Sequence, residues 1–178
     1  MIYEPREDSF LLEKHVRKYA KGRVLDMGTG SGILAIAAKK AEVIAADINP
    51  EAVKEVQKLG IKAIVSDLFE NIGGKFDLII FNPPYLPEDP DESEDSRLAT
   101  KGGKEGHEII ERFLKDAKHF LKKDGKILMV FSSMTGDIES IMKKEGYSFK
   151  ILEEKHIFFE TLYAYCLTKK DSGKQKLP

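Results

Sequence analysis

Residues 23–32 read Arg23-Val24-Leu25-Asp26-Met27-Gly28-Thr29-Gly30-Ser31-Gly32, a short apolar run ending in an aspartate, then three glycines at every second position. The run has the length of a buried strand, and the glycines mark a tight turn into the helix-forming stretch 33–40. In open α/β sheets, ligands bind at such a turn, beyond the carboxyl end of the strand. A dinucleotide loop would carry a further glycine at position 33, where this chain has Ile33, so the spacing favours a smaller nucleoside ligand. Asp26, placed just before the glycines, suits the ammonium of an amino-acid moiety, which a pyrophosphate site would not accommodate.

Strand and helix signals alternate outward from this loop, the pattern of a parallel sheet covered by helices. One helix precedes it. After it come strands at 42–47, 63–66, 76–81 and 126–131, with helices at 50–59, 110–121 and 138–144 between them. The helix at 50–59 is punctuated at both ends: Asn49 can cap it, Pro50 suits its first position, and Gly60 can close it. Two strands near 149–155 and 161–168 form a closing hairpin, giving seven strands in all. Residues 1–168 form a single domain whose first 21 residues supply the helix covering the ligand site, and 169–178 form a polar, lysine-rich, disordered tail. The long irregular segment 82–105 is itself a functional hint.

Composition narrows the function. The 178 residues suffice for one domain but not for a separate recognition domain. A net charge of −1 offers no basic field for nucleic acid, and only five of the 29 basic residues are arginine (Arg6, Arg17, Arg23, Arg97 and Arg112). A single cysteine, Cys166, excludes an internal disulfide. The N-terminus lacks a signal-peptide pattern, so a cytoplasmic protein is expected. His15, His107, His119 and His156 lack metal-ligand spacing and read as surface or loop residues; no metal is expected.

Two more aspartates stand at strand ends. Asp47, 19 residues beyond Gly28, can accept the hydroxyls of a ribose; beside it lies Ile48. Asp67 can accept from an adenine amino group, with Leu68 and Phe69 walling the ring. Each aspartate taken singly is equally a helix cap or a turn residue. The fourth strand then runs into Asn82-Pro83-Pro84-Tyr85. The prolines stiffen the backbone, so the Asn82 side chain and the Pro83 carbonyl become an aimed pair of acceptors for an NH2 group.

Three carboxylates at successive strand ends, a glycine loop after the first and Asn-Pro-Pro-Tyr after the fourth, match the site order of an S-adenosylmethionine-dependent methyltransferase. The chain resembles the class I methyltransferases with this tetrapeptide, and within them the HemK-type protein-glutamine methyltransferases. Within that group it is more similar to the short archaeal and eukaryotic branch that modifies the class I translation release factor. The resemblance is carried by Tyr3-Glu4-Pro5-Arg6-Glu7-Asp8-Ser9-Phe10-Leu11-Leu12, by 26–32, by Asn82-Pro83-Pro84-Tyr85, and by Gly102-Gly103-Lys104-Glu105-Gly106 leading to Arg112-Phe113-Leu114. Leu86 departs from it, standing where the branch often has valine.

The resemblance implies a Rossmann-like α/β fold: seven mostly parallel strands, a C-terminal antiparallel hairpin and helices on both faces. It implies S-adenosyl-L-methionine as methyl donor, with S-adenosyl-L-homocysteine as product. The implied acceptor is the N5 nitrogen of the glutamine in the release factor's Gly-Gly-Gln motif. Tyr3, Pro5, Asp8 and Ser9 would lie near the methionine part of the cofactor, although Asp8 or Ser9 also reads as a helix cap. Asp26, Gly28, Gly30, Gly32, Asp47, Ile48, Asp67, Leu68 and Asn82 would complete the cofactor site, and Asn82, Pro83 and Tyr85 would serve the transfer, with Tyr85 stacked beside the amide. A small zinc-binding activator protein is implied as heterodimer partner, and the apolar third strand, expected at an edge, could accept a partner strand. An amino-methyltransferase of adenine or cytosine in nucleic acid, or a protein-lysine methyltransferase, would use the same tetrapeptide. A noncatalytic cofactor-binding module is the remaining alternative.

Overall fold

A computed structural model describes residues 4–85 and 106–170. Tyr3, residues 86–105 of the long irregular segment, including the 102–105 part of the resemblance, and residues 171–178 lie outside the described residues. The elements run α1 Glu7–Tyr19, β1 Arg23–Met27, α2 Ile33–Ala37, β2 Glu42–Asp47, α3 Pro50–Lys58, β3 Lys62–Val65, β4 Phe76–Phe81, α4 Glu108–Phe120, β5 Leu121–Ser132, α5 Ile138–Lys144, β6 Tyr147–Ile157 and β7 Glu160–Lys169.

The seven strands form one sheet in the order β3-β2-β1-β4-β5-β7-β6. Pairing is parallel from β3 through β5, while β7 lies antiparallel between β5 and β6. The carboxyl ends of β1, β2 and β4 therefore meet along one rim, with Met27 beside both Ala46 and Phe81. Alternation along β2 separates the two faces: Ala45 packs with Val53 and Val56 of α3, whereas Ile44 and Ala46 belong to the main core with α1 and α4.

Several boundaries differ from the sequence reading for local reasons. The helix after the glycine loop ends at Ala37: Ala38 still bonds Leu34 in α-helical register, but the Lys39 and Ala41 amides turn back one residue short, onto Ile36 and Ala38. β5 starts at Leu121, five residues early: Leu121 pairs with Phe76, the register shifts, and Lys126 then pairs with Leu78. Gly125 sits in that irregularity, where a Cβ would approach the Phe76 carbonyl to 2.9 Å. Lys122, Lys123 and Asp124 hide this part of the strand from any hydrophobic pattern. β7 continues to Lys169, one residue beyond the expected end of the domain at 168. Asn49 does cap α3, accepting from the Glu51 N–H at 2.9 Å. α1, in contrast, takes Arg6 as its N-cap residue, without a side-chain cap; Asp8 and Ser9 lie inside its first turn, buried.

Phenylalanines hold α4 to the sheet. Phe113, fully buried, stacks within 4.3 Å of Phe81 and 5.3 Å of Phe69, and Phe69 meets Phe120 at 4.5 Å. Phe113→Ala should therefore destabilise the domain by about 3–5 kcal/mol, read as a lowered denaturation midpoint at unchanged slope. No helix among the described residues is long and apolar enough to cross a membrane.

Candidate active site

The rim formed by β1, β2 and β4 gathers the predicted site. Gly28, Gly30 and Gly32 all adopt positive φ (65°, 50° and 80°), a conformation that other residues rarely tolerate. At Gly32 a Cβ would also lie 2.9 Å from Val56, so space and conformation both demand glycine. Backbone bonds tie the loop to β2: the Thr29 N–H donates to the Ala46 carbonyl (3.0 Å) and the Gly30 N–H to Asp47 Oδ2 (2.9 Å). Asp47 Oδ1 accepts from the Asn49 N–H at 2.8 Å. Asp47 thus organises the loop, and its oxygens keep lone pairs for a further donor. Ile48 beside it is 59% exposed.

Asp26 is fully buried at the foot of this loop. Its Oδ2 accepts from the Thr29 hydroxyl at 2.7 Å, while its Oδ1 has no hydrogen-bond partner among the described residues. Burial pushes its carboxyl up to about 7, offset in part by the Thr29 hydroxyl and the Ala35 amide and reinforced by the charge of Asp47. An orphaned carboxylate oxygen at a strand end is an unfilled request for a donor.

Asp67 lies two residues past the end of β3, where Arg112 of α4 donates to its Oδ2 at 3.0 Å. Leu68 is the only non-glycine residue with positive φ (46°) among the described residues. Such a conformation costs about 1–3 kcal/mol and gathers at functional sites. Ser66 holds it, its hydroxyl donating to the Leu68 carbonyl at 2.7 Å and accepting from the Asn71 N–H at 3.0 Å. Phe69 is committed to the core through Phe113 and Phe120. Sequence reasoning names Arg112 only as part of the resemblance and misses its pairing with Asp67, 45 residues away.

Asn82 follows Phe81 directly, beside the glycine loop. Its Nδ2 donates to Ser9 Oγ at 3.3 Å, and its Oδ1 is buried without a partner among the described residues. Pro83 is buried next to it. The Tyr85 hydroxyl donates to Asp8 Oδ2 at 3.2 Å. Asp8 Oδ1 accepts from the Ser9 N–H at 2.6 Å and the Ser9 hydroxyl at 3.3 Å. The first turn of α1 therefore meets the Asn-Pro-Pro-Tyr segment directly, while Pro5 lies just ahead of that turn. α1 is in turn fastened to β6: Lys14 and His15 both bond Glu153, His15 at 2.9 Å, and Lys155 pairs with Glu7. His15 is thus a buried packing residue and not the surface residue its sequence context suggests. No cluster of three potential metal ligands occurs among the described residues.

Comparison with known proteins agrees with this geometry. Residues 7–159 match the methyltransferase small domain family. A Methanocaldococcus jannaschii protein described as a putative protein N5-glutamine methyltransferase is 45% identical over 161 residues, covering 84% of this chain and 82% of that protein. The human methyltransferase HEMK2 is 30% identical, with 94% and 90% coverage. The release factor glutamine methyltransferase of Deinococcus radiodurans is 34% identical over 132 residues, and the chain spans 48% of its length. The solved E. cuniculi Mtq2–Trm112 complex, which methylates the termination factor eRF1, superposes with a TM-score of 0.77 at 28% identity, over 95% of this chain and 98% of that one. With a matching family profile over most of its length and glutamine methyltransferases among its relatives, the chain belongs to the methyltransferase small domain family, in its HemK-type branch with a Rossmann-like class I fold.

Proposed function

We propose that this protein is an S-adenosylmethionine-dependent N-methyltransferase of a protein side-chain amide, its acceptor the glutamine of the Gly-Gly-Gln motif in the class I release factor. The observation that carries the reading is the buried, unpartnered Oδ1 of Asn82 at the end of β4, on the same rim as the unpartnered Oδ1 of Asp26. One is an acceptor suited to an amide N–H, the other an acceptor suited to an ammonium.

The donor set fits the cofactor. Asp26 would receive the ammonium of its amino-acid part, the Gly28 to Gly32 loop would lie against it, Asp47 and Ile48 would take the ribose, and Asp67 and Leu68 the adenine. Bound S-adenosylmethionine supplies an electrophilic methyl group and leaves as S-adenosyl-L-homocysteine. An amide nitrogen is a poor nucleophile because its lone pair is delocalised, so the protein's contribution is orientation and polarisation. Asn82 Oδ1 and the Pro83 carbonyl accept the two amide hydrogens and aim the nitrogen, and orientation of this kind can supply roughly 7–11 kcal/mol of a barrier. Tyr85, anchored through its hydroxyl to Asp8, walls the acceptor slot.

The test offers the protein methyl-labelled cofactor with the release factor, with its glutamine-substituted variant, with lysine-rich protein and with nucleic acid. Label on the glutamine is the expected result. Label on a lysine or on nucleic acid overturns the reading.

A small activator subunit, zinc-binding in the resembled branch, completes the proposal as heterodimer partner. Among the described residues β3 is an edge strand, paired only with β2, and its Val65 is 43% exposed. The Ser66 N–H bonds the Asp47 carbonyl, so residues 63 and 65, of opposite parity, face away from β2. Their carbonyls accept from Gln57 Nε2 (2.9 Å) and Asn71 Nδ2 (3.0 Å), so a partner strand has to displace these amides. Val65→Lys should abolish co-elution with such a subunit while leaving the melting temperature within about 2 °C, since the site is exposed. Unchanged co-elution would move the interface elsewhere.

A further inference from the structure

The hydrogen bonds between α1 and the segment after β4 follow a directional order. The Asp8 carboxylate can only accept when ionised. The Ser9 hydroxyl donates its single proton to Asp8 Oδ1 at 3.3 Å, which leaves Ser9 Oγ only acceptor capacity toward Asn82. Asn82 must then present its NH2 group, and does so at 3.3 Å. Its Oδ1 is forced to the opposite edge of the planar amide, where it is buried and finds no partner among the described residues. An amide can flip, and the reversed orientation would set the Asn82 oxygen against the Ser9 oxygen, two acceptors face to face. It would also aim NH2 at the acceptor slot, where a second NH2 group has to bind.

We propose that Ser9 is a positioning residue: by accepting from Asn82 Nδ2 it selects the side-chain orientation in which Asn82 Oδ1 is available to the N–H of the substrate amide. This rests on the amide-acceptor reading above and deepens it. It gives Ser9 a role different from the cofactor contact that the sequence resemblance implies, and it makes α1 part of the transfer apparatus. Asp8 serves twice, directing the Ser9 proton and anchoring the Tyr85 hydroxyl at 3.2 Å.

The test measures the full-length chain with saturating cofactor and the release factor. Ser9→Ala should lower kcat by about 10- to 100-fold, the range expected when a reacting group loses its alignment. KM for the release factor and the cofactor Kd should each stay within about twofold, because the lost contact serves the transition state and not ground-state binding. Ser9→Thr, which keeps the hydroxyl, should restore kcat to within about threefold. Should Ser9→Ala fail to fold, Ser9→Cys, close in size with a weakly accepting sulfur, supports the same comparison and the same expected kcat loss. Wild-type kcat in the variant, or a loss confined to cofactor affinity, overturns the positioning role while leaving the glutamine reading intact. A wild-type protein that transfers no methyl group to the glutamine overturns both.

Discussion

Asn82→Ala should retain cofactor binding and lose methyl transfer. Removing one preorganised polar partner of a reacting group typically costs about 2.7–4 kcal/mol, or 10²- to 10³-fold in kcat. The fold should be unharmed. Asn82 Oδ1 makes no hydrogen bond among the described residues, and an unsatisfied buried acceptor carries a penalty of about 1–3 kcal/mol that its removal relieves. Loss of the Nδ2 bond to Ser9, about 0.5–1.5 kcal/mol, offsets that relief, so the expected signature is a melting temperature close to that of the wild type, an unchanged cofactor titration, and single-turnover transfer slowed at least 100-fold. Wild-type turnover in this variant would remove Asn82 from the mechanism.

The second large effect belongs to Asp26. With its carboxyl raised to about 7 by burial, a proton must leave before the carboxylate can pair with a cofactor ammonium. The apparent cofactor affinity should therefore rise with pH, by up to about tenfold per unit below 7, and level off above it. Asp26→Asn should flatten that profile and weaken binding by about 2–5 kcal/mol, the loss seen when one partner of a buried charge pair is truncated. Stability runs the other way. The folded state holds a proton that the unfolded state, at the ordinary value of 3.8, releases, so the stabilisation is complete below that value and is lost as pH climbs through 7. Without cofactor the wild type should therefore be less stable at pH 8 than at pH 5, by about 2.5 kcal/mol from this group, and Asp26→Asn should lack this dependence. Paired pH series of calorimetric titrations and melting curves check both halves. A flat wild-type binding profile would show that the ammonium is received elsewhere.

Much of the frame was legible because its signals are local. The Asn49-Pro50 start of α3 and its stop near Gly60 are written in adjacent residues, and so is the apolar run of β1 with its glycine loop. The aspartates at strand ends and the tetrapeptide after β4 could be placed on one rim because a parallel sheet brings its carboxyl ends together. Illegible were the pairings over long separations. Nothing near Ser9 announces Asn82, 73 residues away, and nothing near His15 announces Glu153. Asp8 and Ser9 look like caps because their residue types suit caps; in the structure Arg6 begins the helix, so they turn inward and meet Asn82 and Tyr85 instead. The early start of β5 was hidden by charges, and the left-handed Leu68 by the absence of any residue preference that would mark it.

The fastening of α1 to β6 sets an order of events during synthesis. Lys14 and His15 reach Glu153 across about 140 residues, and β7 slots between β5 and β6 as the last strand described. Closing so long a loop is entropically expensive and slow compared with forming local helices. A nascent chain that has already built the glycine loop and the tetrapeptide still lacks the brace that seats the first helix over them. Competence to act on another protein should thus arrive abruptly, when the final hairpin leaves the ribosome, and hydrogen exchange at α1 should track that hairpin more closely than it tracks neighbouring β1.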